Sequence, residues 1–320
     1  MSKNIMQILT INKNVKISLF NLKHERLIHI FRLSIIALIF LNYNIEVHAQ
    51  QKSMKKPASS IQMPELQLGL KTGLNFARIN STQEYNVLES TDGTENSGKK
   101  YKNSRSGMQL GFTAAYGLNQ NISFLASPVY TSFKFGYENK YSWIDAERTT
   151  NHTNLNFSHE HVLHYIEIPL SVKYHILSGK IKPYIETGGF YGILQSANKT
   201  ISTTRTDNAS GEQSIEVNDV QTIGIKNLFI SSNLGVLGGA GIRYDIGRVS
   251  SLMTGSTNLG VISLVFSGIY KYGLNNITNV RNRYADNRTV MGAYDVLDDI
   301  RMNNIEISMA CLFTLKYKNK

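Results

Sequence analysis

The sequence predicts an all-β fold: an eight-stranded antiparallel up-and-down transmembrane β-barrel, preceded by a cleaved signal peptide. Three observations lead there. Long stretches alternate apolar and polar residues with a period of two, which a strand presents as one oily face and a helix cannot. The connections between those stretches are alternately long and short, as in bacterial outer-membrane barrels with their short periplasmic turns and longer outer loops. The N-terminal region holds one apolar run of nine residues, Leu33 to Leu41, after Lys23, Arg26 and Arg32 and before Val47-His48-Ala49, which is the layout of a secretory signal. Composition points the same way. With 24 Gly, 17 Tyr and 13 Phe but only 5 Pro in 320 residues, the chain favours aromatic pleated surfaces and tight backbone approach.

A helix needs ~20 apolar residues to cross a bilayer, so the run in residues 1–49 reads as a signal rather than an anchor, with cleavage expected after Ala49. The stretch before Lys23 is long for such a signal, and a start of translation downstream of Met1 is the alternative. Removing these residues takes six Lys/Arg and two acids from totals of 34 and 23, leaving 28 and 21, a net charge of +7. An exported chain without zinc-finger, helix-turn-helix or RNA-binding patterns does not match a nucleic-acid partner. Anionic lipid headgroups are the expected counter-charge. The single cysteine, Cys311, excludes an internal disulfide framework and a cysteine zinc site. Residues 50–65 are polar and unpatterned, a short periplasmic leader to a barrel at 66–317.

The first strand alternates Leu66, Leu68, Leu70, Thr72, Leu74 and Phe76 against Gln67, Gly69, Lys71, Gly73 and Asn75. A second sets Met108, Leu110, Phe112, Ala114, Tyr116 and Leu118 against a glycine-rich face, and Asn119-Gln120-Asn121 turns it. In the third, about 122–137, parity is muddier, with Leu125, Val129, Phe133 and Phe135 opposite Ala126, Tyr130, Ser132 and Lys134. The fourth, 162–176, puts Ile166, Ile168 and Leu170 on one face and Tyr165, Glu167, Ser171, Lys173 and His175 on the other. Strands five to eight fall at about 181–195, 228–244, 262–274 and 304–317. Long polar loops are expected at 78–106, 138–161, 196–227 and 275–303. The connection at 245–261 is longer than the rule allows.

Facing decides the class. With the oily stripe outward, the lumen receives Lys71, Glu167, Lys173, Glu186, Arg243, Lys271 and Glu306, a set tolerable only if its charges pair. Closing the sheet brings Glu306 within reach of Lys71, and Glu186 within reach of Lys173 or Arg243. The opposite facing would make a water-soluble lipocalin-like carrier with a greasy pocket.

Five segments, LGLKTGLNFARI (68–79), HYIEIPLSVKYHI (164–176), KPYIETGGFYGIL (182–194), NLGVLGGAGIRYDIG (233–247) and YKYGLNNI (270–277), together resemble the PorT-like outer-membrane β-barrel proteins of Gram-negative bacteria. That resemblance implies a barrel in the outer membrane with both termini periplasmic, and a namesake that assists protein secretion. Ser267 and Ile269 stand where relatives often place lumen Glu and Arg. Phe313, Leu315 and Tyr317 look similar to the terminal signal read by barrel-assembly machinery, although Lys318-Asn319-Lys320 follows it.

His152, His159, His161 and His164 have the residue type for a transition-metal site, but exposed loop histidines are the ordinary reading. Asp145, His159 and Asp207 are rim candidates for catalysis, yet no nucleophile elbow, phosphate loop or paired-carboxylate spacing accompanies them. No catalytic residue, metal or cofactor is assigned. The glycines 235, 238, 239 and 241 lie mid-strand and leave room for lumen side chains such as Tyr184. Tyr130, Tyr174, Tyr184, Tyr191, Tyr244, Tyr270 and Tyr272 suggest an interfacial girdle. An eight-stranded barrel is just wide enough for side chains to fill it, so a diffusion pore is not expected. The expected role is an envelope scaffold or secretion accessory. A surface ligand-binding or adhesion barrel and an envelope enzyme are the alternatives, and outer-membrane lipid, lipopolysaccharide, assembly machinery and other envelope proteins are the expected partners.

Overall fold

The computed structural model describes residues 65–86, 90, 98–102, 105–144, 147, 152–208, 214–248, 259–284 and 295–315. The signal expected at 1–49, residues 50–64 of the expected leader, Asp145, Tyr317 and the terminal 318–320 lie outside them, as does 249–258 of the unusual connection. Within them are eleven strands: β1 (Glu65–Gln83), β2 (Lys100–Lys102), β3 (Ser106–Gly117), β4 (Ile122–Ala126), β5 (Val129–Ile144), β6 (His152–His175), β7 (Ile181–Asp207), β8 (Ser214–Gly224), β9 (Ser232–Arg248), β10 (Leu259–Gly273) and β11 (Asp299–Leu315).

Eight wall positions close on themselves, all antiparallel. β1 pairs with β3, β3 with both β4 and β5, those two with β6, then β7, β9, β10 and β11 follow, and β11 returns to β1 with Leu68 opposite Phe313. The third wall position is split because Pro128 has no N–H to give the ladder. Ser127 N–H still donates to the Pro169 carbonyl at 3.1 Å, and the Pro128 carbonyl accepts from Phe112 N–H at 3.0 Å, so the wall stays closed. That interruption is why parity through 122–137 reads poorly.

At one end the connections are tight. Asn119 Oδ1 accepts from the N–H groups of Asn121 and Ile122 at 2.9 and 2.7 Å, and Gly179, at φ 146°, closes the turn between β6 and β7. Toward the other end the strands run well past their expected limits. Much of what reads as loop at 78–106, 138–161 and 196–227 is wall: β1 continues to Gln83, β5 to Ile144, β6 starts at His152, and β7 reaches Asp207 before folding back as β8. The eighth strand starts at Asp299, not 304. The sixth starts at Ser232, because 226–228 form a single 3₁₀ turn that takes Leu228 out of it.

Along the lower barrel the oily stripe is outward. Leu70, Met108, Leu110, Phe112, Leu170, Val236, Phe266 and Ile307 are exposed, while Lys71, Gln109, Glu167, Lys271 and Glu306 are buried. Transfer of that stripe into hydrocarbon stabilises the barrel by ~25 cal/mol per Å² removed from water. Each strand presents roughly ten residues of it, about the length a tilted strand needs to cross the apolar band. The lipocalin-like alternative is thereby excluded.

Candidate functional site

Inside the membrane-spanning half lie three ionic groups stacked along the lumen. Lys271 Nζ is 2.7 Å from Glu167 and 2.9 Å from Glu306, and Glu306 also holds Lys71 at 2.7 Å. Ser308 donates to Glu306 at 2.8 Å. Lys173 approaches Glu186 at 3.5 Å, and Ser171 donates to the same carboxylate at 2.6 Å. The structure therefore brings together six of the seven expected lumen residues as Lys71–Glu306–Lys271–Glu167 and Lys173–Glu186. The seventh, Arg243, turns to Asp245 at 2.7 Å and Gln67 at 3.0 Å, and Lys182 joins Asp245 at 3.0 Å. Asp245 was readable from parity, standing two residues along the same face as Arg243.

Tyr184 corrects the girdle reading. It points into the lumen, its hydroxyl 2.9 Å from Ser267 and its ring 4.3 Å from Lys173 Nζ, whereas Tyr130, Tyr191, Tyr244, Tyr270 and Tyr272 face outward. A Cβ on Gly241 would collide with the Tyr184 phenol, which is why that wall position is bare. Ile269 packs with Phe190 and Leu237, so this strand offers apolar bulk and a hydroxyl where an ion pair was the alternative. The voids left deeper among these side chains are about 10 Å³ each, room for about one water apiece. A mouth of about 270 Å³ lined by Gln67, His175, Lys182 and Arg243 opens at the tight-turn end, and beyond it the described lumen is filled by side chains.

Above this half the chemistry inverts. On β1, Ala77 and Ile79 turn inward while Arg78 and Asn80 turn outward. On β6, Phe157, His159, His161 and Leu163 point in, and Asn154, Asn156, Ser158 and Glu160 lie on the opposite face. The interior here is an apolar core of Ala77, Ile79, Phe133, Phe135, Leu163, Tyr165, Leu194, Ile300 and Met302, plugged by Ile225, Phe229, Ile277 and Leu297 from the returning segments.

A second charged cluster, missed by sequence reasoning, caps that core. Lys99 Nζ is 2.8 Å from Asp298 and donates to the Tyr85 carbonyl at 3.0 Å. Tyr101 donates to Asp298 at 2.7 Å, and Lys199 and Tyr137 both reach Asp295. Burial and these carboxylates push the Tyr101 and Tyr137 hydroxyls well up. Lys199 and its neighbours hold Asp295 well below the usual carboxylate range, against the opposing effect of its burial. Arg283 pairs with Asp299 and stacks 3.8 Å above the Tyr85 ring. Lys199, sharing an inward parity with Ala197 and Ile201, and Tyr137, two residues beyond inward Phe135, carried a signal. Lys99, Asp295 and Asp298 come from segments without periodicity.

The four histidines do not converge. His159 and His161 are inside, His161 stacked on Phe135 at 4.7 Å, while His164 stacks on outward Tyr130 at 5.6 Å and His152 meets Asn208 at 2.9 Å. The exposed-loop reading fails for His159 and His161. Burial, with Lys199 nearby, keeps both imidazoles neutral, His159 at about 3 and His161 well below its ordinary value. Of the rim candidates, Asp207 binds Arg205 at 2.8 Å, and it lies opposite Thr153, six residues and therefore about 20 Å along β6 from His159. Asp145 is outside the described residues.

A closed eight-stranded wall with a lipid-facing oily stripe, an ion-paired filled lumen and alternating short and long connections defines a small outer-membrane barrel. The chain belongs to the outer membrane protein beta-barrel domain family, whose model matches residues 48–279. Its place is the outer membrane of a Gram-negative bacterium. Among solved structures it is similar in fold to the attachment invasion locus protein Ail of Yersinia pestis, with 11% identity over 78% of this chain and 99% of that one and a TM-score of 0.30. It is also similar to OprG of Pseudomonas aeruginosa (13%, 79% and 96%, TM-score 0.35) and to Neisserial surface protein A (11%, 78% and 97%, TM-score 0.27). No curated protein matches the chain.

Proposed function

We propose that this protein is a non-enzymatic envelope scaffold, docking other envelope proteins through its outer wall, and that the PorT-like likeness points to protein secretion as the setting. The observation that carries this reading is the filled mid-barrel: among the described residues, ion pairs below and an apolar core and ionic cap above occupy the interior and leave no channel between them. Contact must then occur on the outside. The upper parts of β5, β6 and β7, with β8 laid against β7, give a tall sheet beyond the oily stripe, and among the described residues β8 is paired on one side only. An unpaired strand edge is a ready surface for another protein. Lipid, lipopolysaccharide and the assembly machinery are the remaining partners in this reading.

Photo-crosslinkers placed at Thr200, Ser202 and Val220 in intact cells, followed by gentle solubilisation and affinity capture, test it. The expected product is an adduct with a second envelope protein. Capture of assembly factors alone rejects the scaffold role. Favouring a surface ligand-binding role instead is the length of the β7–β8 hairpin, and loss of cell-surface binding on deletion of 196–222 would select it.

A further inference from the structure

Three cations at the upper limit of the oily stripe have no carboxylate of their own among the described residues: Arg78 on β1, Lys134 on β5 and Arg301 on β11. Their neighbours differ. Lys102 pairs with Glu138, Arg105 with Glu160 and Arg283 with Asp299. Arg78 lies opposite Asn303 and Arg301 opposite Asn80, so the two guanidinium stems are diagonal neighbours on the outer face, about 7–8 Å apart at the backbone. Lys134 is two wall positions from β1, about 10 Å around the barrel. Like charges this close repel, and among the described residues no carboxylate offsets them, which leaves the patch suited to an anion supplied from outside.

Where it comes from is set by what lies beneath. Directly below Arg78 is Phe76, which lies opposite Ile305 on β11, with Asn303 between Ile305 and Arg301, and Met108 and Tyr130 complete the top of the oily stripe on β3 and β5. An anion held here has its lower side in hydrocarbon, which suits an amphiphile and not a free phosphate. The patch is also one-sided, since the corresponding outward positions on β7 are Gln195, Ser196 and Asn198 and on β9 Ser232. Guanidinium forks match phosphate oxygens in paired hydrogen bonds, and a lysine adds a point charge.

We infer that the β11–β1–β3–β5 wall is a binding site for a phosphorylated glycolipid of the outer leaflet, the lipid A moiety of lipopolysaccharide, with Arg78, Arg301 and Lys134 on its phosphates and Phe76, Met108 and Ile305 on its acyl chains. This names the residues for the lipopolysaccharide contact in the proposed reading and is independent of whether the scaffold role holds.

The test uses the full folded barrel in detergent, titrated with phosphorylated lipid A, with lipid A stripped of its phosphates, and with phosphatidylglycerol, followed by native mass spectrometry. R78Q/K134Q/R301Q should weaken phosphorylated lipid A by more than about tenfold, whereas R78K/R301K should recover most of it and N198Q should change nothing. Faster migration of unboiled protein on a gel verifies that each variant is folded. Equal binding by the triple variant, or equal binding of phosphate-free lipid A or phosphatidylglycerol to the wild type, overturns the site. The crosslinking experiment above reads the scaffold role separately, so either can fail alone.

Discussion

The two halves of this barrel hide opposite chemistries. Below the level of Arg78, Lys134 and Arg301 the wall is oily outside and ionic inside. Above that level it is polar outside, with an apolar core of the kind found in a water-soluble protein. The same strands run through both, with the same period of two. What changes is the solvent each half meets, and the strand sorts its side chains accordingly. In the lower half the outer solvent is hydrocarbon, and each lumen cation among the described residues has a carboxylate within 3.5 Å. In the upper half burial of apolar side chains contributes ~1.5–3 kcal/mol each, and ions are confined to the cap.

The comparison breaks most sharply at Lys271, shared by Glu167 and Glu306. Lys271→Met should destabilise the barrel by about 3–5 kcal/mol, because two buried carboxylates lose their common cation, and K271M/E167Q/E306Q should regain much of the loss. Urea unfolding from lipid vesicles measures both. A charge on the outer surface sharpens the boundary: Phe112→Arg should cost about 2–4 kcal/mol near mid-membrane, while Asn198→Arg, above the oily stripe, should cost close to nothing.

Acid should loosen the upper half first. His159 is held neutral down to about 3 in the folded protein but protonates near 6.5 when unfolded, so the unfolded form binds the extra proton and stability falls as pH drops from about 6.5 toward 3. The slope is about 1.4 kcal/mol per pH unit for each such group, and His161 shifts the same way. Hydrogen-exchange protection at Phe157–Leu163, taken relative to the intrinsic rate at each pH, should fall between pH 7 and 5 while that of the β3 amides is unchanged, and H159F/H161F should flatten that response. Smallest is Tyr101→Phe, which removes the bond to Asp298 and should cost about 1 kcal/mol, seen as faster protease cleavage of the cap with unaltered heat-modifiability on a gel.

The lower half was legible because one rule governs it: parity assigns the face, and the sign of the charge assigns the partner. Lys71, Glu306 and Lys271 are all found by counting in twos along strands whose oily side is unmistakable. The upper half was misread for the same reason. On β6 the alternation continues through Asn154-Leu155-Asn156-Phe157-Ser158, but its polar members now face out, and a rule keyed to an oily exterior takes the segment for a loop. Lys99, Asp295 and Asp298 had no signal at all. They meet across as many as 199 positions, and closure in three dimensions, not local pattern, brings them together.

The height of the β6–β7 pair bears on how the protein is made. Its outer portion crosses the oily layer before it reaches water, and the outward face it carries is built largely from hydroxyls and amides, Asn156, Ser158, Asn198, Thr200 and Ser202, with Glu160 on that face and the paired Arg205 and Asp207 at the far end of β7 as formal charges. Neutral groups of that kind cost far less to drag through a hydrocarbon slab than ammonium ions do. Thr200→Lys with Ser202→Lys should therefore slow biogenesis, read as accumulation of periplasmic precursor in a pulse-chase, and leave the melting of the finished barrel where it was.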